Sequence, residues 1–245
     1  MKLFGLIGYP LTHSFSKGYF TQKFEQNGWD DCRYETFPIA NIEAFTDLCA
    51  AHPNLQGLNV TIPYKEAVIP YLDGLSEEAA KIGAVNTIKF VDGKRMGYNS
   101  DVVGFEQSLR PLLKEYHKKA LVLGTGGAAK AVWFVLDKLD IQYRNVSRTT
   151  SDNAVSYEEI KPEWMDEYLL IINTTPLGMY PKVEDYPPLP YESIGGRHLL
   201  FDLVYNPEKT TFLLKGEANG AAIKNGLDML HGQAERSWEI WNEGK

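Results

Sequence analysis

The residues best placed to do chemistry lie in Gly124-Thr125-Gly126-Gly127-Ala128-Ala129, a match to G-x-G-x-x-G/A. Leu121-Val122-Leu123 precede it as a short apolar run suited to a buried parallel strand. Ala131, Val132, Val135, Leu136 and Leu139 follow at helical spacing. Strand, glycine turn and helix thus come in the order a dinucleotide site needs. Gly124 permits the tight turn, Gly126 lets the backbone approach a pyrophosphate, and Ala129 is small enough for close helix–strand packing. The unpaired N–H groups of the helix start face the anion. A plain structural turn is the alternative, and the flanking elements favour the nucleotide.

The segment after the next strand addresses which nucleotide. NAD sites usually place a carboxylate about 20 residues past the first glycine, on the ribose 2′-hydroxyl. That count from Gly124 reaches Arg144, and Asn145-Val146-Ser147-Arg148-Thr149 follow without a carboxylate. A guanidinium at Arg148 suits a 2′-phosphate, with hydroxyls from Ser147 and Thr149 beside it. A solvated loop arginine is the alternative, and Asp152 opposes a phosphate nearby.

Other side chains carry two readings each. Lys65 follows Pro63 near an expected helix start, where a cation is disfavoured and proton transfer is favoured; an ordinary surface lysine fits as well. Asp101 is either a reactive carboxylate or the N-cap of a helix from Val102. Gln233 lies among Met229, Leu230, Ala234, Trp238 and Trp241 on one helix face. It is either a buried amide bonded to backbone or a ligand contact.

These residues need a scaffold. Strands are expected over Leu3 to Ile7, Arg33 to Phe37, Leu55 to Ile62, Ala84 to Phe90 and Arg95 to Tyr98. Helices are expected near Ser14 or Ser16, over Ile42 to Ala50, from Pro63, and over Ser76 to Ile82. Residues 1 to about 100 therefore form one α/β unit. A helix opens at Ser100-Asp101, with Val102 to Tyr116 at helical spacing and Pro111 expected to kink or interrupt it, and leads into a second unit. That unit has strands at Ile141 to Val146, Leu169 to Asn173 and His198 to Val204, and a proline-rich loop over Pro181 to Pro190. A last helix runs over Leu227 to Trp241. With 245 residues, 44% hydrophobic content, a net charge of −7 and no Lys/Arg block, a globular enzyme fits better than a nucleic-acid or membrane-surface binder. Cys32 and Cys49 read as reduced thiols of a cytoplasmic protein. No metal-ligand spacing occurs among the five His and two Cys.

Five further stretches complete the pattern: Ser14-Phe15-Ser16, Asn59-Val60-Thr61-Ile62-Pro63-Tyr64-Lys65, Gly83-Ala84-Val85-Asn86-Thr87, Asn99-Ser100-Asp101-Val102-Val103-Gly104-Phe105, and Asn225-Gly226-Leu227-Asp228-Met229-Leu230. With the glycine turn, and in this order, they resemble the shikimate dehydrogenase family over nearly the whole chain. The resemblance implies an α/β fold of two domains with a cleft between them: an N-terminal α/β substrate domain and a Rossmann-like dinucleotide-binding domain, the C-terminal helix returning to the first. The boundaries are 1–100 with 227–245 for the substrate domain and 101–226 for the NADP domain.

It also implies NADP-linked reversible reduction of 3-dehydroshikimate to shikimate. Lys65 would be the general acid/base, with Asp101 binding a substrate hydroxyl and tuning Lys65. Ser14 and Ser16 would bind the substrate carboxylate with help from Tyr205, and Thr61, Asn86 and Gln233 the ring hydroxyls. Gly124, Thr125, Gly126, Gly127, Ala128, Ser147, Arg148, Thr149, Leu203 and Gly226 would hold the cofactor. Ser147 stands where the family usually has Asn, and Asp152 where a second basic residue often lies. His13 reads as a loop residue rather than a catalyst. The alternatives are a relative that prefers quinate or uses NAD, and a non-catalytic binder of shikimate or nucleotide; Lys65 and Asp101 together argue against the binder. The expected partner is the small-molecule substrate alone, without nucleic acid or membrane, in a monomer or homodimer.

Overall fold

A computed structural model describes residues 1–11 and 14–243. The chain divides into two compact units. One comprises residues 1–100 and the end of the chain from Ala234; the other runs from Asp101 to Gln233. The second boundary falls inside the last helix, seven residues beyond Leu227, where the sequence places it.

The first unit begins with β1 (Lys2–Gly8), buried from Leu3 to Ile7, and α1 (Phe15–Gln26). β2 (Cys32–Pro38), α2 (Ala44–Ala51) and β3 (Leu55–Val60) follow, then α3 (Tyr64–Ala67) and β4 (Gly74–Leu75). α4 (Glu77–Ile82), β5 (Thr87–Val91) and β6 (Lys94–Tyr98) complete it. The sheet order is β2-β1-β3-β5-β6-β4. β1 runs parallel to β2 and β3, while β5 is antiparallel to β3 and β6. Side chains alternate across β1: Leu3 and Ile7 join a core with Phe45, Leu58 and Val68, and Phe4 and Leu6 join another with Phe20, Phe24 and Trp241. α3 is a single turn capped by Pro63, shorter than the helix the sequence suggests, because Pro70 follows closely.

The second unit opens with α5 (Asp101–Leu109), which gives way to a 3₁₀ turn at Arg110–Leu112. Pro111 interrupts the α-helix there, as its place in the sequence leads one to expect, and Leu113 and Tyr116 lie beyond the helix. Next come β7 (Lys119–Leu123), α6 (Gly127–Lys138), β8 (Gln142–Ser147), β9 (Val155–Ser156) and β10 (Leu170–Asn173). β11 (Leu199–Asp202), α7 (Thr211–Ala218), β12 (Ala222–Lys224) and α8 (Leu227–Asn242) follow. The strands are all parallel, in the order β12-β11-β10-β7-β8-β9. This is the doubly wound order, with its switch point between β7 and β10. β4, β9, α7 and β12 are not apparent in the sequence; the strands among them are only two or three residues long.

The last turns of α8 lock onto the first sheet. Trp241 is fully buried, and its indole N–H donates to the Ile88 carbonyl at 3.0 Å. The indole lies over Gly57, where a Cβ would stand 2.3 Å from Nε1. Trp241→Ala should lower unfolding free energy by about 3–5 kcal/mol, as for other buried aromatic truncations; urea titration checks this.

In the second unit Asp202, with no exposed surface, ends β11. Its carboxylate accepts from Thr210 Oγ1 (2.5 Å), Asn173 Nδ2 (2.9 Å) and the Val204 N–H (3.0 Å). Burial outweighs these donors and pushes its pKa up to about 6 from an ordinary 3.8. A carboxyl whose folded pKa is raised favours the folded state below its unfolded value, and that contribution is lost as pH rises through the folded value. Asp202→Asn cannot ionise. Its melting temperature relative to the parent should therefore rise between pH 4 and pH 7; a constant difference across that window would show that Asp202 does not titrate there.

Candidate active site

In the first unit the chosen residues follow strand ends on one side of the sheet. The Thr61 N–H donates to the Ile7 carbonyl at 3.0 Å, joining the end of β3 to that of β1. The Val60 N–H donates to the Asn86 carbonyl at 2.8 Å, and the Asn86 N–H to Tyr98 at 3.1 Å. Because β5 is antiparallel to β3 and β6, its start meets their ends. The loops carrying Ser14, Ser16, Thr61, Lys65, Asn86 and Ser100 therefore leave from the same side.

Ser14 is the N-cap of α1, its hydroxyl accepting from the Lys17 N–H at 3.2 Å. A capping hydroxyl uses a lone pair and keeps its proton for a further acceptor. Ser16, two residues on, is buried and within hydrogen-bonding reach of Tyr34. Thr61 and Lys65 are half-buried, and the Lys65 carbonyl accepts from the Val85 N–H at 2.7 Å. With only one turn behind Lys65, α3 aligns few peptide dipoles, so the helix-start argument for this lysine loses most of its force. His13 lies outside the described residues.

Asn86 belongs to a buried polar cluster that the sequence does not single out. Tyr34 donates to Asn59 Oδ1 at 2.8 Å, and Asn59 Nδ2 donates to Ser237 Oγ at 2.9 Å. Ser237 Oγ lies 2.8 Å from Thr87 Oγ1 and 3.0 Å from Ser100 Oγ. Burial raises the Tyr34 phenol far above its ordinary pKa, so it stays a neutral donor. Asn59 and Thr87 face each other across β3 and β5, but Ser237 comes from 150 residues further along the chain than Thr87. Nothing in the local pattern signals that meeting.

In the second unit Asp101 is the first residue of α5 rather than the residue before it, and it is 5% exposed. Gln233 is likewise buried, its Nε2 donating to the Leu230 carbonyl at 2.9 Å. This backbone bond is the one the plainer reading of Gln233 expects. α5 and α8 approach closely here: a Cβ on Gly104 would lie 2.4 Å from the Met229 carbonyl oxygen.

The cofactor candidates lie at the carboxyl ends of the parallel strands. Gly124 has φ +108°, and a Cβ there would stand 2.5 Å from Thr174 Oγ1. Thr174 in turn donates to the Leu123 carbonyl at 2.7 Å, so the loop after β10 supports the glycine turn. Thr125 is exposed, Gly126 is the N-cap of α6 without a capping side chain, and a Cβ on Gly126 would meet only open space. Gly127 and Ala128 form the first turn, half-buried, with no acidic residue in it. An anion fits that geometry.

At the end of β8 the Ser147 hydroxyl donates to the Thr149 carbonyl and accepts from the Thr149 N–H at 3.3 Å. Its proton is therefore used within the turn rather than offered outward. Arg148 and Thr149 are exposed, and among the described residues no carboxylate, Asp152 included, pairs with Arg148. Leu203 and Gly226 meet: a Cβ on Gly226 would lie 2.1 Å from the Leu203 carbonyl oxygen, so only glycine allows this approach. Tyr205, two residues beyond Leu203, is half-buried, and burial raises its phenol above the ordinary value. Asn173, Thr174 and Thr175 were missed from the sequence. The polar run ending an apolar strand is the signal that could have found them, since Asn173 Oδ1 accepts from Thr175 Oγ1 at 2.6 Å and organises that loop.

This arrangement has known counterparts. Residues 6–88 match the model of the shikimate dehydrogenase substrate binding domain. Shikimate dehydrogenase (NADP(+)) of Clostridium beijerinckii is 39% identical, covering 99% of this chain and 93% of that protein. The Methanosphaera stadtmanae enzyme of the same name is 36% identical over 97% of this chain and 90% of its own length. Among solved structures, Thermus thermophilus shikimate 5-dehydrogenase in complex with NADP(H) and shikimate has a TM-score of 0.87 at 31% identity, covering 99% of this chain and 94% of that one. A shikimate dehydrogenase in complex with NADP+ has a TM-score of 0.86 at 33% identity, covering 99% and 90%. Likeness at this level, end to end and in both sequence and fold, means that the chain belongs to the shikimate dehydrogenase family.

Proposed function

We propose that this protein is an NADP-dependent shikimate dehydrogenase, interconverting 3-dehydroshikimate and shikimate. The observation that carries this reading is the glycine turn at the switch point of a doubly wound sheet, in a chain similar over nearly its whole length to enzymes of that name. NADP fits the residues present: the uncapped start of α6 and the open space over Gly126 suit the pyrophosphate, and the exposed Arg148 guanidinium suits a 2′-phosphate. Leu203 and Gly226 then form one wall for the cofactor. When bound, the nicotinamide supplies the hydride chemistry.

The chain's own residues handle the rest. Ser14, with its proton uncommitted by capping, and Ser16 bind the substrate carboxylate, with Tyr205 as a neutral donor. No acidic side chain in the first turn of α1 opposes an anion there. Thr61, Asn86 and Gln233 take the ring hydroxyls. Lys65 gives or takes the proton at the reacting oxygen, and Asp101 accepts from a substrate hydroxyl. The substrate domain comprises residues 1–100 and the end of α8, and the NADP domain the remainder. A cytoplasmic enzyme fits Cys32 and Cys49, which form no disulfide, and the described residues contain no helix long and apolar enough to cross a membrane.

Two substitutions test the roles. Lys65→Ala should lower kcat by ~10²–10⁴-fold, the usual contribution of a general acid–base group, with a much smaller effect on shikimate binding. Near-complete turnover in that variant, followed by nicotinamide absorbance, would remove Lys65 from the mechanism. Arg148→Ala should lower kcat/KM with NADP and leave NAD nearly unchanged. Equal losses with both cofactors would place Arg148 away from the 2′-phosphate.

A further inference from the structure

We propose that Thr87, Ser100 and Ser237 form a positioning cluster that orients the Asn86 side chain and presents one of its N–H bonds, and no acceptor, to the substrate. The inference rests on the reading of these strand ends as the shikimate site. Asn86 is 3% exposed. A backbone donor decides which way its amide points: the Ser100 N–H can only donate, so the Asn86 atom 2.7 Å away is the carbonyl oxygen Oδ1. The Thr87 hydroxyl, at 3.0 Å, takes the second lone pair of that oxygen. Nδ2 donates one hydrogen to Ser100 Oγ at 3.0 Å. Its other hydrogen has no protein acceptor among the described residues. A buried N–H left unmatched is costly, and a ligand oxygen removes that cost.

The hydroxyls of both residues that hold the Asn86 side chain, Thr87 and Ser100, meet Ser237. Its Oγ lies 2.8 Å from Thr87 Oγ1 and 3.0 Å from Ser100 Oγ, and those two lie 3.1 Å apart. Asn59 Nδ2 donates to Ser237 from the other side. Ser237 thus acts through Thr87 and Ser100 upon Asn86. A substrate hydroxyl meeting Asn86 accepts its hydrogen bond and must direct its own proton to another group.

The test uses the full-length protein, with shikimate affinity from calorimetry and KM values from NADP-coupled turnover. A parent protein that does not oxidise shikimate would overturn the underlying site reading rather than the cluster. In an active parent, Ser237→Ala should raise Kd and KM for shikimate roughly five- to tenfold, the scale of one misplaced hydrogen bond, while KM for NADP stays unchanged. Thr87→Val should reproduce that split, and Thr87→Ser, which keeps the hydroxyl, should restore the parent's affinity. Thr87→Val also decides the matter if Ser237→Ala does not fold. Unchanged shikimate affinity, or equal rises in both KM values, would overturn the positioning role, and so would loss of folding in both variants.

Discussion

The first unit depends on how the end of α8 is seated against its sheet. Asn59 and Thr87 are polar side chains on a buried face, and burial without partners would make each destabilising. Ser237 supplies a partner shared by both, and one turn later Trp241 fills the groove over Gly57. Polar satisfaction and apolar packing therefore come from the same helix face. The fit is specific because a hydroxyl and an indole must both land in register, at Thr87 and at the Ile88 carbonyl.

The second unit solves a different problem. Its parallel strands are buried on both faces, so chemistry is left to the loops at their carboxyl ends. Those loops are braced against one another rather than left loose. Thr174 supports the glycine turn, Asn173 arranges Thr175, and Asp202 holds both Asn173 and the Val204 N–H. The carbonyl of Leu203, next to Asp202, sets the space that Gly226 alone can enter. One buried carboxylate thereby orders much of the rim, and its raised pKa reflects how little solvent reaches it.

Much of this was legible in the residues. The apolar runs of β1, β7 and β10, and Ser14 before α1, have local causes, so a local reading finds them. The glycine turn was legible for the same reason, since strand, turn and helix adjoin in the chain. Lys65 shows the limit. Its identity and its place after Pro63 were plain, but the length of α3 was not, because Pro70 and the packing of Val68 end the helix after one turn. Ser147 shows another: a hydroxyl chosen as an outward donor turns back onto the Thr149 carbonyl.

By itself, then, the sequence determined the order of elements, the nucleotide turn and the identity of the candidate site residues, because propensity, capping and periodicity act over a few residues. The tertiary structure decided which polar groups share a partner. Asn86 and Ser237 carry no local sign of their connection, and their pairing through Ser100 exists only once β5 and α8 are packed. The tertiary structure also decided which way the Asn86 amide faces, since that follows from a backbone N–H brought to its carbonyl oxygen across a turn of the chain. Hydrogen-bond polarity depends on geometry in three dimensions, and spacing along the chain does not encode it.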